Sequence, residues 1–198
     1  MTDQTSEARL RSDARRNRRA VLDAAVALLA QRPQATMQEV AEASGLGRTT
    51  VYRHFQRRQD LIDALVGEVV REAGETVAEA LREASSAREL FCGLGPRIIA
   101  LGDRYRFLDA HPELRERALG TNESGPARPL ETYLTDAQQR GEVRGDLPVG
   151  WMLTTLRGLG VVAMVEVSAG HLSVEEAGKL VGETCASAFA RHPDADAG

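Results

Sequence analysis

Between Arg48 and His54 the chain sets Arg, Thr, Thr, Val, Tyr, Arg and His in consecutive positions, six hydrogen-bond donors in seven residues. Arginine can pair bidentately with guanine O6 and N7, and a threonine methyl can touch the methyl of thymine, so Arg48, Thr49, Thr50 and Arg53 suit base edges in a major groove. Tyr52 and His54 offer donors better matched to phosphate oxygens. So do Thr36, at an expected helix N-terminus, and Arg58, just before an expected long helix. Bond-making chemistry has no comparable constellation. His54, His111, His171 and His192 do not cluster in sequence with cysteines or acids, and Gly158-x-Gly160 lacks the strand and third glycine of a phosphate-binding loop. An enzyme is therefore not expected, nor a metal or other cofactor. Cys92 and Cys185 lie far apart without ligand spacing and are expected as buried small residues in a reducing compartment.

The donors need a helix and a support. Apolar residues Val21, Leu22, Ala25, Val26, Leu28 and Leu29 recur with helical spacing over residues 13–31, preceded by Arg15, Arg16, Arg18 and Arg19. Those arginines could form an arm reaching DNA or a solvated helix start. Pro33 ends that helix, and Thr36 with Glu39 makes a T-x-x-E capping box that starts a short helix over 37–43. Gly45 supplies the positive φ a tight turn needs, Leu46 can plug inward, and a second short helix follows over 48–54 with Val51 as its rear anchor. Two short helices across a glycine turn, the second rich in donors, make the layout of a helix-turn-helix.

Charge divides the chain in the same place. Of 198 residues, the first 58 carry 11 Arg against 6 acids, and the rest carry 14 Lys or Arg against 23 acids, giving +5 and −9 within a net charge of −4. The basic end is suited to a polyanion, and the acidic remainder to another task. The expected domains are 1–58, an N-terminal arm and helix-turn-helix, and 59–198, opened by a connector helix over 59–84 with Leu61, Leu65, Val69, Val77 and Leu81 on its buried side. Further helices are expected over 88–110, broken or bent near Gly93, Gly95 and Pro96, then over 113–119, 130–140, 151–168 and, from a Ser173–Glu176 capping box, 173–191. Residues 121–129 read as a loop, and the first dozen and last half-dozen residues as disordered. The fold class is all-α throughout, since no β-branched alternation bounded by turns occurs. No uninterrupted apolar run of about 18 residues exists and the N-terminus is polar, so a cytoplasmic protein without a membrane span is expected; the Asn122–Ser124 sequon then carries no meaning.

Thr36-Met-Gln-Glu-Val-Ala41, Gly45-Leu46, Thr50-Val-Tyr-Arg-His-Phe55 and Arg58-Gln-Asp-Leu61 together resemble the N-terminal signature of the TetR family of transcriptional regulators. The resemblance covers residues 18–65. It departs at Gly47, where a serine-like N-cap is usual, and at Arg58, where lysine is usual. It implies a homodimer, each subunit placing Arg48–His54 in a major groove of a palindromic operator, and a C-terminal domain that dimerises and binds a small molecule. The DNA-binding set is then Arg19, Thr36, Gly47, Arg48, Thr49, Thr50, Tyr52, Arg53, His54 and Arg58, with Phe55 structural. Phe91, Tyr105, Phe107, Trp151 and Met152 lie where pocket walls would stand. Arg97, Arg104 and His111 either meet an anionic ligand or form ion pairs.

The last two helices point to a dimer seam on their own pattern. Residues 153–165 are apolar around most of the helix circumference, which calls for cover on more than one side. The expected seam includes Leu156, Leu159 and Val162 of one helix and Val174, Val181, Cys185 and Phe189 of the other, the alternative being a core within one subunit. A helical small-molecule-binding protein that no longer reads DNA is the other functional reading.

Overall fold

Helices form where apolar residues recur every three to four positions in the computed structural model, which describes residues 2–119 and 125–191. In chain order they are α1 (Thr2–Gln31), α2 (Met37–Ser44), α3 (Arg48–His54), α4 (Arg58–Glu83), α5 (Ala87–Arg104), a 3-10 turn (Arg106–Ala110), α6 (Pro112–Leu119), α7 (Arg128–Gln139), α8 (Val149–Ser168) and α9 (Val174–Phe189). Contacts divide the chain into two units, residues 1–68 with 105–115, and residues 69–104 with 116–198. The division falls inside α4, beyond the position where the charge balance changes sign.

In the first unit α1, α2 and α3 pack on one another around Val21, Leu22, Ala25, Leu29, Val40, Ala41, Val51 and Phe55, all nearly inaccessible. The 3-10 turn joins them through contacts with α1. Helix α1 starts at Thr2, so the opening residues are helical and not disordered. No Gly or Pro precedes Pro33, and the Glu, Ala, Arg and Leu residues there favour helix.

The second unit is built on α5 and α9, which meet backbone to backbone. A Cβ added to Gly95 would lie 2.5 Å from the Gly178 carbonyl oxygen, one on Gly178 2.5 Å from Pro96 Cα, and one on Gly182 2.8 Å from the Phe91 carbonyl oxygen. Of the break or bend expected near Gly93, Gly95 and Pro96, the break does not occur. Helix α5 continues through Pro96, losing one backbone bond. The glycines serve the approach of α9 and do not end the helix. The break comes later, at Tyr105, where the chain tightens into the 3-10 turn. Around the crossing, Leu90, Leu94, Ile99, Leu134, Met152, Leu156, Val181, Cys185 and Phe189 form a continuous core.

After α7 the chain turns at Gly141, with φ of 74°, and pairs briefly with the end of α9: Arg144 N–H donates to Phe189 O and Arg191 N–H to Glu142 O, both at 2.9 Å. The Gln138 amide donates to the carbonyls of Arg144 and Leu147 at 2.7 Å each, fixing the α7–α8 connection. Helix α7 begins at Arg128, inside the segment read as a loop, because Pro129 pre-sets the helical φ in the first turn. Residues 121–124 with the sequon, His192 and the last half-dozen residues lie outside the described residues. Helix α8 is long and apolar enough by composition to cross a membrane, although Arg157 and Glu166 interrupt it.

Candidate nucleic-acid interface

Helix α3 is positioned by the capped helix α2 before it and by the core behind it. Thr36 caps α2 as expected: its Oγ1 accepts from Glu39 N–H at 3.3 Å, and Glu39 Oε2 accepts from the Thr36 N–H at 2.8 Å. The Thr36 hydroxyl also donates to that carboxylate at 3.0 Å, and Arg32 clamps the other oxygen at 2.6 Å. The Thr36 bonds, backbone first, and then the Arg32 charge hold the Glu39 carboxyl below its ordinary range. Helix α2 ends on Gly45 in the left-handed region, φ 68°. Leu46 is half-buried, and Val51 and Phe55 are closed into the core.

With Val51 inward, the opposite face of α3 is open. Arg48, Thr49, Tyr52 and Arg53 are exposed and Thr50 half-buried. Gly47 stands at the N-cap without a side-chain hydrogen bond, and a Cβ there would meet nothing within 4 Å. This surface carries donors of the types that base and phosphate contacts use.

Three of the expected contact residues, Arg58, Arg19 and Thr36, have other partners, and a fourth, His54, turns inward. Arg58 donates through Nη2 to Pro33 O at 2.8 Å and through Nε to Ala35 O at 3.3 Å, so its guanidinium fastens the α1–α2 turn. Arg19 is bound to Asp23 at 3.1 Å and Glu68 at 3.2 Å. The Thr36 hydroxyl is engaged in the capping box. His54 turns inward, its Nε2 buried without a hydrogen-bond partner. Burial, then the charges of Arg53 and Arg18, hold its imidazole below the usual 6.5. The Thr36–Glu39 box and Asp23, four residues from Arg19, are legible in the sequence, whereas Glu68 for Arg19 and the Pro33 and Ala35 carbonyls for Arg58 lie many positions away and left no sign there. It also gave no sign that Arg18 would lie over the Phe55 ring, 5.4 Å from its centre.

The residues expected at a ligand pocket fall into three settings. Phe91 and Met152 are filled into the core of the second unit, with the Phe91 ring 5.7 Å from that of Phe189. Tyr105 and Phe107 are buried in the first unit, rings 6.4 Å apart. Trp151 is 59% exposed. A shallow groove on α7, lined by Arg128, Glu131, Thr132, Thr135 and Asp136, includes none of them. Arg97 pairs with Glu83, Arg104 with Glu72 at 3.5 Å, and His111 with Glu113 at 3.3 Å.

The expected seam also divides. Leu156, Val181, Cys185 and Phe189 belong to the subunit's own core, Leu159 and Val174 are half-buried, and Val162 is open. Burial raises the Cys185 thiol to about 11. Apolar side chains left in solvent are Trp151, Val161, Val162 and Val165 on α8 and Leu180 on α9. At 100° per residue the four on α8, with exposed Gly158, fall on one stripe.

Residues 21–65 match the family model described as bacterial regulatory proteins, tetR family. Over 54 residues, 27% of this chain and 29% of the relative's length, the sequence is 48% identical to the HTH-type transcriptional repressor LfrR of Mycolicibacterium smegmatis. It is 25% identical over 139 residues, 65% of the chain and 72% of the relative, to the fatty acid metabolism regulator protein of Bacillus subtilis. The crystal structure of LfrR from Mycobacterium smegmatis in complex with proflavine superposes with a TM-score of 0.66 at 23% identity, covering 90% of this chain and 98% of that one.

Proposed function

We propose, on the premise that this chain is a TetR-family transcriptional regulator, that a homodimer reads a palindromic double-stranded operator with one α3 per subunit and releases it when a small molecule binds. The observation that carries the reading is the open face of α3, where Arg48, Thr49, Tyr52 and Arg53 stand exposed above a buried Val51. Two such helices in a dimer reach successive major grooves if they stand roughly 34–36 Å apart. The stripe of Trp151, Val161, Val162 and Val165 with Leu180 supports pairing of subunits through α8 and α9, which gives those side chains the cover their own chain does not. The apolarity of α8 is then that of an interface helix and not of a membrane span.

Repression is the sign of control that the name of the LfrR relative supports. The proflavine complex of the similar structure supports a small molecule as the effector. Release requires the effector to favour the conformer that holds DNA poorly; a tenfold loosening corresponds to about 1.4 kcal/mol of coupling. Such a regulator works in the cytoplasm and catalyses no reaction.

Fluorescence-anisotropy titration against duplexes flanking the protein's own gene, with random duplex as competitor, tests the proposal. Cognate preference is expected, and Arg48→Ala lowers that preference by about 1–3 kcal/mol if the guanidinium pairs with a guanine. Tyr52→Ala weakens cognate and random duplex alike. Equal loss on both duplexes in Arg48→Ala removes its base-reading role. Absence of any cognate preference across these fragments in the wild type leaves two readings, an operator elsewhere or a helical ligand-binding protein that no longer reads DNA.

A further inference from the structure

Two adjacent arginines at the start of α4 have different settings. Arg57 is exposed and pairs with Asp60 in its own turn at 3.3 Å. Arg58, the first residue of α4, is half-buried, and its guanidinium turns back to the carbonyls of Pro33, at 2.8 Å from Nη2, and Ala35, at 3.3 Å from Nε.

Those carbonyls belong to the turn on which α2 is seated. Ala35 N–H donates to the Arg32 carbonyl at 2.9 Å, and Thr36, the next residue, caps α2 through Glu39. Arg32, at the other end of the turn, holds the same Glu39 carboxylate at 2.6 Å. Both ends of the turn are thus tied to the first turn of α2, and the Arg58 fork grips it in between. Within the first unit, Glu68 gives α4 a further polar tie, to Arg19 of α1, and between Arg58 and Glu68 the side chains of Leu61, Ile62 and Leu65 are buried.

We propose that Arg58 is a positioning residue for DNA recognition: its fork on the Pro33 and Ala35 carbonyls ties the start of α4 to the seat of α2 and so sets the aim of α3, with no phosphate contact of its own. The proposal rests on the DNA-binding reading above and gives Arg58 a role other than the phosphate contact its charge suggests. A guanidinium suits the task, being planar and always charged with its donors in a fixed fork, where an ammonium offers one nitrogen. Helices α2 and α3 pack on each other, so a tilt at the start of α2 is carried to α3. Misaim then costs base contacts, which specify, more than phosphate contacts, which do not.

The test compares wild type, R58K and R58Q under conditions in which far-UV circular dichroism and urea denaturation show all three folded. Without DNA, amide exchange of Ala35, Thr36, Glu39 and Val40 should quicken about tenfold in R58Q, the scale of one bond from a charged donor. Ser173 and Glu176, in the like capping box of α9, should exchange as before. With DNA, the preference for cognate over random duplex should fall about tenfold in R58Q and recover only in part in R58K, both keeping the wild-type salt slope. A phosphate contact gives another pattern: R58Q loses equally on both duplexes with about 0.9 off the log–log slope per subunit, and R58K restores both. That pattern overturns the positioning role and leaves the regulator reading intact. A lowered urea midpoint with unchanged preference, or unchanged exchange at 35–40, overturns it likewise. A wild type that binds no duplex at any salt overturns both.

Discussion

His54 sits at the end of α3, half-buried, with its inner ring nitrogen closed off from solvent. Its Nε2 is buried without a partner, and desolvation with the Arg53 and Arg18 charges lowers its pKa. The folded state therefore takes up a proton less readily than the unfolded chain, whose histidine titrates near 6.5. The stabilising difference is complete above that pH and is lost as pH falls below it toward the folded value. Urea midpoints measured from pH 7.5 to 5.5 should decline for wild type and decline less for His54→Gln; parallel curves would acquit His54. Other side-chain roles were plain from residue type and spacing. Val51 and Phe55 are buried anchors and Thr36 caps as its T-x-x-E context requires. That of Arg58 and the Glu68 half of Arg19's pairing were not, because an arginine announces its charge while a distant partner is chosen by folding. For Arg58 the partners are carbonyls at Pro33 and Ala35.

At the scale of elements, local signals succeeded where local physics decides. Helix α3 spans Arg48–His54 as the sequence implied, and both T/S-x-x-E boxes cap α2 and α9. Gly47 leaves α3 without a side-chain cap in backbone geometry that any residue can adopt, φ −61°, with open space around it. Gly47→Ser should raise stability by a few tenths of a kcal/mol, seen as a higher urea midpoint. The signal failed at α5, since Gly95 and Pro96 are helix breakers by local rules and tertiary contact with α9 overrides them. Gly182→Ala should cost about 1–3 kcal/mol as its Cβ meets the Phe91 carbonyl oxygen. Gly67→Ala on α4, with nothing near its Cβ, should instead stabilise by about 0.5–1 kcal/mol. Chemical denaturation of the pair separates packing from propensity, and equal shifts would mean that the crossing is looser than its distances.

For the whole molecule, pattern alone could not divide the apolar residues of α8 and α9 between the chain's own core and its exposed face. Leu156 and Val162 are equally apolar, and only the fold distinguishes 4% from 60% exposure. Val162→Glu should leave the subunit folded and shift sedimentation at micromolar concentration from dimer to monomer, with cognate DNA affinity falling in step. A dimer unaffected by this change would move the interface away from α8. The meeting of α5 and α9 bears on what this chain can become. In an ordinary core a larger side chain at one site is relieved by a smaller one beside it. At Gly95 and Gly182 the nearest atoms are main chain, and main chain has no smaller substitute. Neighbouring substitutions therefore offer no repair, and drift of the surrounding sequence must proceed around these positions rather than through them.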